Sequence, residues 1–123
     1  MKYMLLFLMV TVVSFAQNNV NYASIDKKMD AIPENFTKST DSIALYINNN
    51  FKTEDDKVRA VCYWIASNIT YDKENLFVVK FKETRKERIV NTLKTKKGIC
   101  RDFANIFSDI ANAAGVKALV VSG

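Results

Sequence analysis

The segment Lys97-Gly98-Ile99-Cys100-Arg101-Asp102-Phe103-Ala104 holds the residues best suited to chemistry. Cys100 stands where a helical apolar repeat begins, just after Gly98, which is read as permitting a sharp turn before the helix. Unpaired backbone N–H groups and the positive dipole end at a helix start favour the thiolate, the reactive form of cysteine. Lys96, Lys97 and Arg101 add positive charge nearby in sequence. The chemistry implied is nucleophilic attack on an acyl carbon, with the Cys100 N–H offered to the developing oxyanion. A simpler reading stands beside it: a lone cysteine in a helix is commonly a small core residue. On local physics alone both remain open. Asp102 is read first as an acid in the opening helical turn, where it complements the dipole.

What the chain lacks narrows the chemistry further. It has 123 residues and no histidine, which removes the usual general base and the commonest metal ligand. No cysteine pair has zinc-ligand spacing, so neither metal nor cofactor is expected. The length allows one domain, and 49% hydrophobic with 25% charged residues fits a globular protein. The formal charge of +5 is mild. Much of it lies in residues 80–97, where Lys80, Lys82, Arg85, Lys86, Arg88, Lys94, Lys96 and Lys97 face only Glu83 and Glu87. Without interleaved aromatics this run reads as a solvated helix face rather than a nucleic-acid groove, and no nucleic-acid partner is expected.

The N-terminus carries Lys2, an apolar run from Met4 through Val13, and Ser14-Phe15-Ala16. A positive start, a short apolar stretch and a small-x-small site are the parts of a secretory signal peptide, here cleaved after Ala16. The run falls short of the ~20 residues that span a bilayer. The expectation is a secreted or periplasmic protein, exported but not anchored. Its compartment then permits disulfides. Cys62 falls in a helical apolar stripe and is expected to be a buried free thiol, while pairing with Cys100 and oligomeric state stay open.

Several elements must position Cys100. Tyr22, Ile25, Met29 and Ile32 recur at helical spacing up to Pro33. Thr40 is placed to cap a second helix with Ile43, Tyr46 and Ile47 inward. Thr53-Glu-Asp-Asp56 resembles a capping box opening a third helix, whose stripe is Val58, Val61, Cys62, Ile65 and Ile69, widened by Ala60 and Trp64. Leu76–Phe81 is a short apolar run with extended character. A basic helix is expected around 85–94, with Ile89, Val90 and Leu93 inward. From Cys100, Phe103, Ala104, Phe107, Ile110, Ala111 and Ala114 form another stripe, closed by Gly115 in a left-handed conformation. Val116–Val121 reads as a buried strand.

Two blocks in register carry a family likeness. The first is Asp56-Lys-Val-Arg-Ala-Val-Cys-Tyr-Trp-Ile-Ala-Ser-Asn-Ile-Thr-Tyr-Asp72. The second is Leu93-Lys-Thr-Lys-Lys-Gly-Ile-Cys-Arg-Asp-Phe-Ala-Asn-Ile-Phe107, continuing to Gly123. Together they resemble the transglutaminase-like superfamily, most closely its kyphoscoliosis-peptidase-like members. The resemblance implies an α+β, papain-like fold in which the cysteine helix packs on an antiparallel sheet. Here it would be mostly helical, with the first core strand at the C-terminus and the sheet incomplete. It assigns Cys100 as the nucleophile; Trp64, Tyr71 and Asp72 match as packing and turn residues. A His and an Asp on later strands complete the family's catalytic set, and neither is present. The expected organisation is therefore a signal peptide at 1–16, a lead segment at 17–38, and the N-terminal part of a truncated domain at 39–123. The implied function is a thiol peptidase or transamidase acting on a peptide or protein substrate through a thioester, inactive as this chain. The alternative is a non-catalytic protein-binding module of the cell envelope.

Overall fold

The computed structural model describes residues 22–77 and 82–121. The segment 1–16 expected to direct export and most of the apolar run at 76–81 lie outside the described residues. Five α-helices are described: α1 Ala23–Asp30, α2 Thr40–Asn50, α3 Glu54–Asn68, α4 Arg85–Thr95 and α5 Cys100–Ala113. A 3-10 helix, Glu34–Lys38, joins α1 to α2. Strands β1 (Thr70–Tyr71) and β2 (Lys97–Gly98) pair in parallel, Thr70 opposite Lys97 and Tyr71 opposite Gly98. The result is a mostly helical α+β arrangement with an incomplete sheet. Among the described residues the antiparallel layer that the resemblance implied is not present.

The core lies where α5 crosses α2 and α3, with Ile43, Ile47, Ala60, Val61, Trp64, Ile106 and Ile110 sealed from solvent. On α3 the buried sector is Ala60, Val61, Trp64 and Ile65. The indole, the largest side chain on that helix, centres the sector and leaves Cys62 beyond its edge. Cys62 is therefore an exposed free thiol and not the buried residue its stripe suggested. On α4, Ile89 and Leu93 are buried, but Val90 is 58% exposed.

Side-chain oxygens start most of the helices. Ser39, not Thr40, caps α2: its hydroxyl accepts from the Ser42 N–H at 3.1 Å, and Ser42 Oγ accepts from the Ser39 N–H. Thr40 is buried instead, donating to Asp109 of α5 at 2.6 Å. Thr53 accepts from the Asp56 N–H at 3.2 Å, so half of the expected capping box forms. Thr84 and Glu87 make a full reciprocal box on α4.

The end of α5 follows a Schellman closure: Val116 N–H bonds the Ala111 carbonyl at 2.8 Å and Gly115 N–H that of Asn112 at 3.1 Å. Gly115 has φ +87, and no atom lies within 4 Å of a Cβ built there. The run beyond it is not the buried strand expected. Leu119 and Val121 are 81% and 88% exposed, and the segment has no ladder partner among the described residues. Its one anchor is local, with Asn112 Oδ1 accepting from the Ala118 N–H at 3.1 Å and Asn112 Nδ2 donating to its carbonyl at 2.8 Å.

Candidate active site

Cys100 is the first residue of α5, exposed and unpaired. Ile99 before it is extended, with φ −96 and ψ 178, and its carbonyl accepts the N–H groups of Asp102 and Phe103 at 2.9 and 3.1 Å. The Cys100 backbone N–H, by contrast, has no acceptor among the described residues. One residue thus presents a thiol and a free N–H donor together, as an acyl-transfer nucleophile requires.

The approach to Cys100 is held from below. Asp102 is buried, and its Oδ2 accepts from the Ile99 N–H at 3.0 Å, closing the first turn. Its Oδ1 receives Arg88 through Nε at 3.1 Å and Nη2 at 2.9 Å. Arg88 also reaches Glu83 at 3.7 Å. A carboxylate so far from water needs such a cation beside it, and charge-assisted bonds of this kind are the stronger class. Asp102 thus has the first-turn role expected of it, with an added long-range partner.

Gly98 belongs to β2 rather than to a sharp turn, and its φ lies outside the left-handed region. The reason for glycine is close approach. A Cβ there would stand 2.8 Å from Asp102 Cβ, 3.1 Å from Thr92 Cγ2 and 3.3 Å from Asp102 Oδ2. The strand itself is fixed by β1: Thr70 N–H bonds the Lys96 carbonyl at 2.8 Å, and Asp72 N–H that of Gly98 at 2.9 Å. Tyr71 on β1 stacks on Phe103 of α5 with ring centroids 6.2 Å apart, which makes it a packing residue.

Arg85 and Arg88 depart from the solvated face expected of the basic run. Arg85 bonds Asp109 Oδ1 at 3.2 Å, Ser108 Oγ at 3.0 Å and the Asn105 carbonyl at 3.3 Å. Both arginines therefore tie α4 to α5. The signal was present in the sequence, since Arg85, Arg88 and Thr92 recur at i, i+3 and i+7 beside the inward Ile89 and Leu93.

A polar cleft of about 270 Å³ opens behind the first turn of α5, lined by Asp72, Glu83, Arg88, Thr92, Ile99 and Asp102. Cys100 does not line it, and these 123 residues include no histidine. The arrangement places an exposed thiol and a backbone N–H without an acceptor among the described residues at the start of α5.

The model of the transglutaminase-like superfamily matches residues 41–123, and the chain belongs to that superfamily. None of the curated proteins and none of the solved structures compared with it matches the chain. The match spans α2 from its second residue, α3, the β1–β2 pair, α4 and the whole of α5, so it includes the elements that position Cys100.

Proposed function

We propose that this chain contributes Cys100 as the nucleophile of a transglutaminase-like thiol enzyme acting on peptide or isopeptide amides. The thiolate attacks the amide carbonyl, the Cys100 N–H receives the oxyanion, and the C–N bond breaks to release the amine. The remaining thioester passes its acyl group to water or to a second amine. The proton for the leaving amine needs an imidazole from outside these 123 residues, since the chain holds no histidine. Hydrolysis is favoured over crosslinking, and a kyphoscoliosis-peptidase-like relation is part of the same reading; both rest on family analogy. Export, supported by the Lys2 to Ala16 pattern, would place the substrate outside the cytoplasm.

The observation that carries the reading is the position of Cys100: exposed, first in its helix, with its own N–H free. Alkylation by iodoacetamide, read site by site by mass spectrometry, tests it. Cys100 is expected to react faster than Cys62, which is also exposed and serves as an internal standard. Equal or reversed rates remove the nucleophile. Residues 17–123 alone are expected to show negligible amidase activity. Adding downstream sequence that supplies a His followed by an Asp should restore turnover that Cys100→Ser abolishes.

The total absence of histidine favours a second reading, a non-catalytic binding module of the cell envelope. A genomic sequence with no His downstream of codon 123 would support the module over the enzyme.

A further inference from the structure

We propose that the cleft walled by α1, the 3-10 helix, α3 and α4 is a second ligand site, independent of Cys100, for a carboxylate carried on an apolar body. Its volume, about 740 Å³, lies within the range of small-molecule sites. The carboxylate would sit between Lys96 and Lys38, and the apolar body against Val90 and Ile32, which also line the cleft.

The argument begins with the backbone of Lys96. With φ 59 and ψ 28 it is left-handed, the one non-glycine residue at positive φ among the described residues. Glycine or asparagine suits such a helix-closing position, and a side chain there costs about 1–2 kcal/mol. What lysine adds is an ammonium held 4.9 Å from the centroid of the Trp64 ring. Its placement is firm, because the Lys96 carbonyl takes the Thr70 N–H at 2.8 Å.

That ammonium has no ion-pair partner among the described residues. Burial and the like charge of Lys38 hold its pKa below the ordinary 10.5, with Glu34 opposing. Lys38 has only a 3.8 Å surface contact to Glu34. Lys96 and Lys38 thus share one cleft in which Glu34 is paired to Lys38 alone, so the Lys96 ammonium keeps a charge that an entering anion relieves. Lys94 adds a further cation to the lining.

The surface offered to an apolar partner is Val90, 58% exposed at the cleft, above a buried layer of Met29, Leu93 and Trp64. Met29 and Leu93 are buried and Trp64 is fully so, yet the indole Nε1–H is the one buried side-chain donor without an acceptor among the described residues. The lining also carries Asp30 and Glu34, with Asp30 taking the Tyr63 hydroxyl at 2.9 and 3.0 Å. These two carboxylates repel a dianion such as phosphate, so a monoanionic carboxylate is the better occupant. It can come from a peptide C-terminus or from a fatty acid.

Trp64 is the chain's single tryptophan, so its fluorescence reports directly on the cleft. Titration with N-acetyl-L-phenylalanine or decanoate should give a saturable change, and N-acetyl-L-phenylalaninamide, which lacks the charge, should not. Saturation by the first alone identifies a peptide terminus, and by the second alone a lipid carboxylate. Lys96→Gly removes the ammonium while keeping a residue suited to φ 59, so it should fold at least as well. Its Kd is expected to rise about tenfold or more, the value of one lost charge-assisted contact. Cys100→Ser should bind as the parent does, even if Cys100 proves not to be a nucleophile. Equal binding of acid and amide, unchanged affinity in Lys96→Gly, or no saturable change with either acid would overturn the proposal.

Discussion

Replacing Gly98 with alanine tests how Cys100 is positioned, because the two explanations of that glycine give different outcomes. If glycine served only a turn, alanine would cost little at a φ outside the left-handed region. The close approach predicts otherwise. The new methyl would lie 2.8 Å from Asp102 Cβ, a rigid atom next to the helix backbone, and 3.1 Å from Thr92 Cγ2. Forcing a methyl into such a contact costs about 1–3 kcal/mol, offset by roughly 0.5 kcal/mol from a less flexible unfolded chain. The net loss is about 1–2 kcal/mol. With a urea slope of about 2 kcal/mol/M, the middle of the usual range, the midpoint should fall by roughly 0.5–1 M, followed through Trp64 fluorescence. Displaced Asp102 also loosens the Ile99 N–H, so alkylation of Cys100 should change while that of Cys62 does not. Gly115→Ala is the comparison: it meets no atom within 4 Å, but its φ of +87 disfavours a side chain. It should cost about 1 kcal/mol and leave Cys100 reactivity alone. A Gly98→Ala variant with parental midpoint and parental Cys100 rate would refute the reasoning.

Arg88→Met should cost about 2–4 kcal/mol, because it strands the Asp102 carboxylate at 10% side-chain exposure; adding Asp102→Asn should recover part of the loss in the same urea experiment. Cys62→Ser should change stability by less than about 0.5 kcal/mol in thermal unfolding, since the residue is exposed. Arg59 bonds Asp26 at 3.0 and 2.8 Å and holds its carboxyl below the ordinary 3.8. A lowered folded pKa gives stability that is present above pH ~4 and lost as pH falls through the folded value. Asp26→Asn should therefore flatten the acid limb of a stability–pH curve below about pH 4, and an unchanged limb would discount the pair.

Much of the scaffold was legible because it is local. The stripes of α1 and α2, the Thr53 start and the left-handed Gly115 follow from spacing and capping within one or two turns. In the α4 and α5 stripes, by contrast, Val90 proves exposed, Phe103 and Phe107 half-buried, and Ile106, outside the stripe, fully buried. The family blocks added the α+β class, while the local apolar stripe after Gly98 put Cys100 at the head of α5, where it is found. Asp102 was readable as a first-turn acid by the same local logic.

What only the tertiary structure decided concerns partners distant in sequence. Thr40 looked like a cap and is instead a buried donor to Asp109, while Arg85 and Arg88 looked solvated and are clamps. Gly98 looked like a turn and is a point of contact between β2 and α5. Cys62 shared a period with buried neighbours, yet Trp64 rotated the buried sector past it. Hydrophobic periodicity states that a helix has an inner side but not which neighbours cover it. Val116–Val121 shows the same limit: strand propensity is written in the residues, but a strand forms only where another backbone lies alongside to accept its hydrogen bonds.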